Sequence, residues 1–320
     1  MNDAPPVARP VVAVVGPTAS GKTALGVELA LAFSGEIINC DSVQVYRGVE
    51  IATAKPTEEE RRGVAHHLID FVPPEVSYTA GAWAADAARV IAEIESRGRL
   101  AVLVGGTGFY LRALRQPFFE SPPTDAALRA RLVAARERHG AEHLHRLLGR
   151  LDAASAARLH PRDWSRVQRA LEVRLQTGRS ITEQQPARPE PPELAARLRI
   201  IALNPPREEL YRRIDARAEQ HFLAGLVQEV RELLAAGVPA GSNARGAHGY
   251  RRVVEQLRGE RTLQSAVEQT KLDVRHYAKR QLTWFRREPG VQWIEGFGDD
   301  PVVQSLAATR VRAMFGGGRA

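Results

Sequence analysis

The stretch VVAVVGPTASGKTALGVELA, residues 11–30, constrains this chain more than any other. Val11 to Val15 is a short, continuous, β-branched run ending in glycine, the pattern of a buried parallel strand. Leu25, Leu29 and Phe33 then recur at helical spacing. Between strand and helix, Gly16, Pro17, Thr18, Ala19, Ser20, Gly21, Lys22 and Thr23 fit G-x-x-x-x-G-K-[ST]. Such a turn aims backbone N–H groups at one anion, and the helix start adds its positive end. Lys22 is expected to reach the terminal phosphates, and Thr23 to place its hydroxyl on Mg²⁺. Loops of this kind usually hold ATP or GTP, so phosphate binding follows from the pattern while the owner of the phosphate does not.

The pattern downstream predicts an α/β fold: a P-loop NTPase-like, doubly wound parallel sheet with an inserted all-helical subdomain. EIINC is a second strand ending at Asp41, and a helix over about 77–97 carries Trp83, Ala87, Val90, Ile91 and Ile94 on one face. LAVLV, 100–104, is a further buried strand. Two proline-rich joints, QPFFESPP (116–123) and QPARPEPP (185–192), bracket a segment rich in Ala, Leu and Arg that reads as about four short helices. RLRIIAL (197–203) returns to strand character, followed by long helices near 206–236 and 262–287, the strand VQWIE and a final helix. The expected domains are a core of 11–117 with 195–315, an insertion over 118–194, a disordered leader over 1–10 and a disordered tail over 316–320.

No run of 18 apolar residues occurs, which argues against a membrane span. Cys40 is the sole cysteine, so neither a disulfide framework nor a cysteine-built zinc module is expected, and a reducing, cytoplasmic setting fits. A monomer is the default expectation. The formal net charge of +8, from 45 Lys and Arg against 37 Asp and Glu, fits a polyanionic partner or simply an arginine-rich proteome.

The distribution of charge favours the first. Arg129, Arg131, Arg136 and Arg138 lie in the insertion, followed by RDWSRVQRALEVR with Arg162, Arg166, Arg169 and Arg174. Lys271, Arg275 and Lys279 share a helix face, interleaved with Tyr277, Trp284 and Phe285. For one helix alone, a solvated basic face with its aromatics turned inward is the ordinary reading. Several such helices around one phosphate site point to nucleic acid.

A nucleotide-hydrolysing motor normally ends a later strand with an acid that holds magnesium and orients water. Here that strand ends VGGTGFY, without a carboxylate. The acid is Asp41, at the carboxyl end of the second strand, where open α/β sheets bind ligands. It suits a general base on an acceptor held opposite the phosphates, or a plain cap of the next turn with Ser42. HGAEH (139–143) matches an inverted zinc-protease signature, but Gly140 reads as a helix end that puts His139 and His143 on different elements. The pair His66-His67 reads as structural or as polar lining.

These stretches, GPTASGKT, INCDSVQVYRGVEIATAKP, HHLID, VGGTGFYLRAL, HPRDWSRVQRALEV and YAKRQLTWFRR, resemble the bacterial tRNA dimethylallyltransferases (tRNA isopentenyltransferases) over about residues 11–295. The resemblance implies transfer of a dimethylallyl group from dimethylallyl diphosphate to N6 of the adenosine 3′-adjacent to the anticodon, in tRNAs reading codons that begin with U. It implies that Gly16–Thr23 binds the donor's diphosphate, with Mg²⁺ at Thr23, and that Asp41, Thr107 and Arg217 form the catalytic set. Asp41, Ser42, Val43 and Gln44, then Thr107, Arg129, Ser165, Arg166, Val167, Gln168 and Arg169, fall where the family contacts the tRNA anticodon stem-loop. Ala52 stands where the family has Gly, Arg162 where Asn is usual, and Gly246 where some relatives carry a larger polar residue. Two alternatives predict other behaviour: a small-molecule kinase would turn over ATP, and a non-catalytic RNA-binding protein would leave tRNA unchanged. An acceptor limited to free adenine nucleotides, as in the related adenylate isopentenyltransferases, is opposed by the long basic insertion.

Overall fold

In a computed structural model, residues 9–116, 122–123, 125–184, 190–239 and 241–316 are described. The core is one sheet of six parallel strands: β1 (Val11–Val15), β2 (Gly35–Asn39), β3 (His66–His67), β4 (Leu100–Gly105), β5 (Leu198–Asn204) and β6 (Val291–Glu295). Their order is β3-β2-β4-β1-β5-β6. The chain therefore leaves β1 toward one edge of the sheet and later returns to β1's other side through β5. Ligands of such sheets bind at this switch point, beyond the carboxyl ends of the strands. Every residue of β1, β2 and β4 is buried, as strands covered on both faces require, including the polar Glu36 and Asn39 of β2.

The helices α1 (Lys22–Ala32), α2 (Glu58–Arg61), α3 (Ala80–Ser96) and α4 (Gly108–Arg115) accompany the first four strands. On α3, Trp83, Ala87, Val90, Ile91 and Ile94 form the buried face, and Thr79 caps the helix by accepting from Ala82 N. Trp83 is fully buried, stacks on Tyr110 with ring centroids 4.9 Å apart, and donates from Nε1 to Asn39 O at 2.9 Å. That bond fixes the end of β2, just before Asp41. Gly26 lets α1 lie flush on β4, since a Cβ there would stand 2.4 Å from Val104 Cγ2.

The chain divides into two compact units, Met1–Arg115 with Pro192–Ala320, and Gln116–Pro191. The second unit is helical: α5 (Ala126–His139), α6 (Ala141–Leu151), α7 (Ala153–Arg158), α8 (Trp164–Thr177) and α9 (Ile181–Gln184). The last is a single short turn beyond the four expected helices. Leu132, Leu144, Leu148, Val167 and Leu171 make its own core. Gly140, at φ 83°, separates α5 from α6 and so places His139 and His143 on different helices. Most of the two proline-rich joints, at 117–121, 124 and 185–189, lies outside the described residues.

After α10 (Glu193–Arg197) and β5, the expected long helix near 206–236 is two helices, α11 (Arg207–Leu223) and α12 (Leu226–Ala235). Gly225, at φ 104°, adopts the left-handed backbone that breaks them. A 3₁₀ turn (Asn243–Gly246) and α13 (Tyr250–Leu257) follow, neither foreseen from the sequence, then α14 (Leu263–Phe285) and α15 (Pro301–Gly316). Of the expected leader, 1–8 lies outside the described residues, while Arg9 bonds to Gly98 O and accepts from Arg197. Of the expected tail, Gly316 still belongs to α15 and 317–320 lies outside the described residues.

Candidate active site

Beyond β1 the backbone takes conformations that few side chains tolerate: Gly16 at φ 148°, Ala19 at 62° and Gly21 at 80°. Gly21 starts α1 with no side-chain cap, so no side chain satisfies the helix's first N–H groups. The space a Cβ on Gly21 would take is filled by Asp299 and Gly298, and Gly298 N donates to Ser20 O at 2.8 Å. Arg213 in turn grips both carboxylate oxygens of Asp299, at 2.9 and 2.8 Å. Ser20 Oγ is buried without a partner. The loop is thus pressed into shape by a segment nearly 280 residues away in the chain.

Lys22 turns back along the loop and donates from Nζ to Pro17 O at 2.7 Å. Burial pushes its pKa down to about 8, opposed by the Asp41 carboxylate and reinforced by the Arg217 guanidinium. Arg217, on α11, is itself held below the usual arginine range by burial, with Glu60 opposing. A diphosphate seated between these cations would raise the Lys22 pKa, so binding above pH 8 must take up a proton. Diphosphate affinity is therefore expected to fall above pH 8, by up to about tenfold per pH unit. Calorimetry at pH 8.5 in buffers of different ionisation enthalpy reads the proton uptake directly, and binding without uptake would contradict it.

Two residues past β2, Asp41 Oδ1 accepts from Val43 N at 2.9 Å and Gln44 N at 3.3 Å. Asp41 thus holds the following turn, and it also lines the cavity with Lys22. Thr107 Oγ1 accepts from Ser42 N at 3.0 Å and lies 3.4 Å from Ser42 Oγ, while Thr107 N donates to Cys40 O. The ends of β2 and β4 are tied together by these bonds. Gly105 permits the approach, because a Cβ there would lie 2.1 Å from Cys40 O.

Gln281 on α14 bridges the loops. Its Oε1 accepts from Thr18 N at 2.8 Å and its Nε2 donates to Gly106 O at 3.0 Å. A Cβ on Gly106 would stand 2.0 Å from that Nε2. Gly106→Ala is therefore expected to expel the amide, leave Thr18 N–H without its partner, and destabilise the protein by about 1–3 kcal/mol. Urea denaturation with steady-state assays would show both losses, and a wild-type midpoint would contradict the reading.

One cavity of about 710 Å³ gathers the loop from Thr18 to Thr23, Asp41–Gln44 and Arg217. Its far wall comes from residues the sequence reading did not assign to the site: His248, Tyr277, Arg280 and Gln281. The His248 and Tyr277 rings lie 4.3 Å apart. Tyr277 and Gln281 are one helical turn apart within YAKRQLTWFRR, so spacing within that motif held the signal. No such signal marked His248. His66 Nδ1 lies 2.8 Å from Val64 O, and His67 pairs with Glu36, in keeping with a structural role.

Thr23 contributes a hydroxyl oxygen to the cavity, and among the described residues no group of three or more His, Cys, Asp or Glu could hold a metal by itself. That donor set suits Mg²⁺, which keeps waters and takes most of its remaining ligands from phosphate oxygens.

The basic face expected on 271–279 is largely spent inside the protein. Lys271 pairs with Glu219 at 2.6 Å and Glu268 at 2.7 Å, and Arg275 grips Asp215 with both arms. The pairs with Glu219 and Asp215 fasten α14 to α11. Phe285 is buried, and Arg112 lies over the Trp284 ring. In the insertion, Arg129 forks onto Glu172 at 2.8 and 2.9 Å, and Gln168 and Arg169 bond the same carboxylate. Glu172 is fully buried and held below the usual carboxylate range by these donors. Ser165 and Arg166 are exposed on α8. Val167 points into the core with no exposed surface, so its side chain packs rather than touching a ligand.

A family model described as IPP transferase matches residues 44–288. A tRNA dimethylallyltransferase of Solibacter usitatus is 48% identical over 307 residues, covering 96% of this chain and 99% of the relative. Another, of Geobacter metallireducens, is 48% identical and covers 89% and 92%. Among solved structures, the tRNA isopentenylpyrophosphate transferase of Bacillus halodurans superposes with a TM-score of 0.70 at 37% identity, covering 97% of this chain and 99% of that one. A eukaryotic dimethylallyltransferase solved acting on tRNA gives 0.74 at 25% identity, covering 96% and 78%.

Proposed function

The chain belongs to the IPP transferase family, the family of the tRNA dimethylallyltransferases, and from that premise we propose how its cavity works. The enzyme transfers a dimethylallyl group to N6 of the adenosine 3′-adjacent to the anticodon, in tRNAs reading codons that begin with U. The donor is dimethylallyl diphosphate, and diphosphate is released. The observation that carries this reading is the cavity in which Lys22 and Arg217 face the Asp41 carboxylate.

The P-loop-like strand, turn and helix hold a leaving group in this reading rather than a fuel. As the bond from the allylic carbon to diphosphate oxygen breaks, its electron pair moves onto the diphosphate. The α1 N–H groups, Lys22 and Arg217 stabilise that charge. Mg²⁺ at Thr23, when bound, would add charge neutralisation on the phosphate oxygens. The adenine amine is a weak nucleophile because its lone pair is delocalised into the ring. Asp41 takes the N6 proton as the new C–N bond forms. With Oδ1 committed to Val43 N and Gln44 N, Oδ2 is the oxygen that receives it.

The target adenosine leaves its stack most cheaply in a single-stranded loop. The insertion, with Arg129 and the 165–169 segment, would hold the anticodon stem-loop. Arg129 would reach RNA with the half of its surface left exposed by Glu172. A cytoplasmic monomer fits this reading, and no helix among the described residues is long and apolar enough to cross a membrane. Mass spectrometry of tRNA nucleosides from cells with and without the protein tests it. N6-isopentenyladenosine should vanish without the protein, and its persistence in a strain with no second such gene would overturn the reading.

A further inference from the structure

Residues 50–54 carry no helix or strand, yet Ala52, Thr53 and Ala54 wall both the main cavity and an adjoining side pocket of about 40 Å³. The side pocket's apolar lining is Ala19, Ala52, Ala54, Ile214, Ala218 and Val274. His221 lies at the same pocket, and burial beside Arg217 lowers its pKa to about 4, so it is uncharged at neutral pH. The space suits a small branched hydrocarbon end.

A turn of this kind needs something to hold it, all the more with Ala54 at φ 48°. Gln44 Nε2 ties one side, donating to Thr53 O at 3.0 Å and Ala54 O at 3.1 Å. The other side is held by Glu229 of α12. Its Oε2 accepts from Glu50 N and Ile51 N, each at 2.8 Å, and its Oε1 lies 3.5 Å from Ala52 N. Tyr250 OH donates to Oε1 at 2.5 Å, and the carboxylate is buried. Three successive N–H groups thus converge on one anion, the arrangement called a nest, here filled from within the chain.

We infer that Glu229 is a positioning residue: by gathering the N–H groups of 50–52 it sets the alanine wall against which the allylic chain packs, and so the chain length the enzyme accepts. The assignment of the allylic chain to this pocket rests on the proposed function, whereas the anchoring of 50–52 does not. Glutamine at 229 keeps the size but turns one acceptor into a donor facing N–H groups and the Tyr250 hydroxyl.

The test compares wild type, Glu229→Gln, Tyr250→Phe and Ala52→Val. It reads hydrogen exchange of amides 50–52, with kcat and KM for dimethylallyl and geranyl (ten-carbon) diphosphate on an anticodon stem-loop. Glu229→Gln should lose about tenfold or more of exchange protection at 50–52. Its KM for dimethylallyl diphosphate should rise about tenfold with kcat within about threefold, and its preference for the five-carbon donor should drop at least about tenfold. Ala52→Val should narrow the pocket and raise the KM for dimethylallyl diphosphate about tenfold with Glu229 intact, which keeps the test decisive if Glu229→Gln does not fold. Tyr250→Phe should keep the preference. Unchanged exchange in Glu229→Gln overturns the anchor, and an unchanged KM in Ala52→Val overturns the wall. Absence of transfer by wild type would instead sink the proposed function, with the exchange arm still reading the anchor.

Discussion

Asp41→Asn is expected to slow transfer by about 10²–10⁴-fold while leaving stem-loop binding within a few-fold of wild type. The choice of asparagine follows from the geometry. Asp41 Oδ1 accepts from Val43 N and Gln44 N, so alanine would remove the turn together with the base. Asparagine keeps a carbonyl oxygen for those two N–H groups and loses only the capacity to take a proton. Single-turnover transfer rates and filter binding separate the effects. A rate within tenfold of wild type would show that the carboxylate holds the turn and nothing more.

Lys22→Met is expected to move activity and stability in opposite directions. In the proposed function the ammonium faces the leaving diphosphate, and removing one preorganised donor of negative-charge stabilisation typically lowers kcat about 10²–10³-fold. Stability should rise. The folded-state pKa of about 8 lies below the ordinary lysine value of 10.5, so folding favours the neutral amine and disfavours the cation. That penalty is fully present below pH 8 and disappears as pH rises through 10.5. It amounts to roughly 3 kcal/mol at pH 7, less the lost bond to Pro17 O. Chemical denaturation at pH 7 should show a gain for the variant that shrinks toward pH 10. A less stable Lys22→Met protein would contradict the account of this lysine as a cation held for its ligand rather than for the fold.

The sheet could be read almost entirely from local pattern. Val11–Val15, 100–104 and the IIAL of 197–203 are apolar runs whose only comfortable place is inside a covered parallel sheet, and the turns after the first two carry the glycines that the site requires. The glycine-rich loop and Asp41 share one cavity where motif and topology put them, and Arg217, expected only from the family resemblance, lines it too. What local pattern cannot carry is pairing across long separations. Gln281 meets Thr18 across 263 residues and Glu229 meets Glu50 across 179. Within its own helix Glu229 reads as an ordinary surface charge.

The same limit explains the basic stripe on α14. A run of cations at helical spacing is identical in sequence whether it faces RNA or a row of carboxylates. Only the fold brings Asp215 and Glu219 opposite Arg275 and Lys271. In the insertion, Val167 shows the converse: it sits within a polar motif yet belongs to the hydrophobic core, because helical geometry turns it inward.

The most direct test of the central claim, that the loop grips a leaving group, uses dimethylallyl diphosphate labelled in its five-carbon chain. Purified protein, Mg²⁺ and an anticodon stem-loop complete the mixture. The label should appear on N6 of the adenosine 3′ to the anticodon, with one diphosphate released per transfer and no requirement for ATP. Label that stays off the RNA, or transfer that depends on ATP hydrolysis, would contradict it.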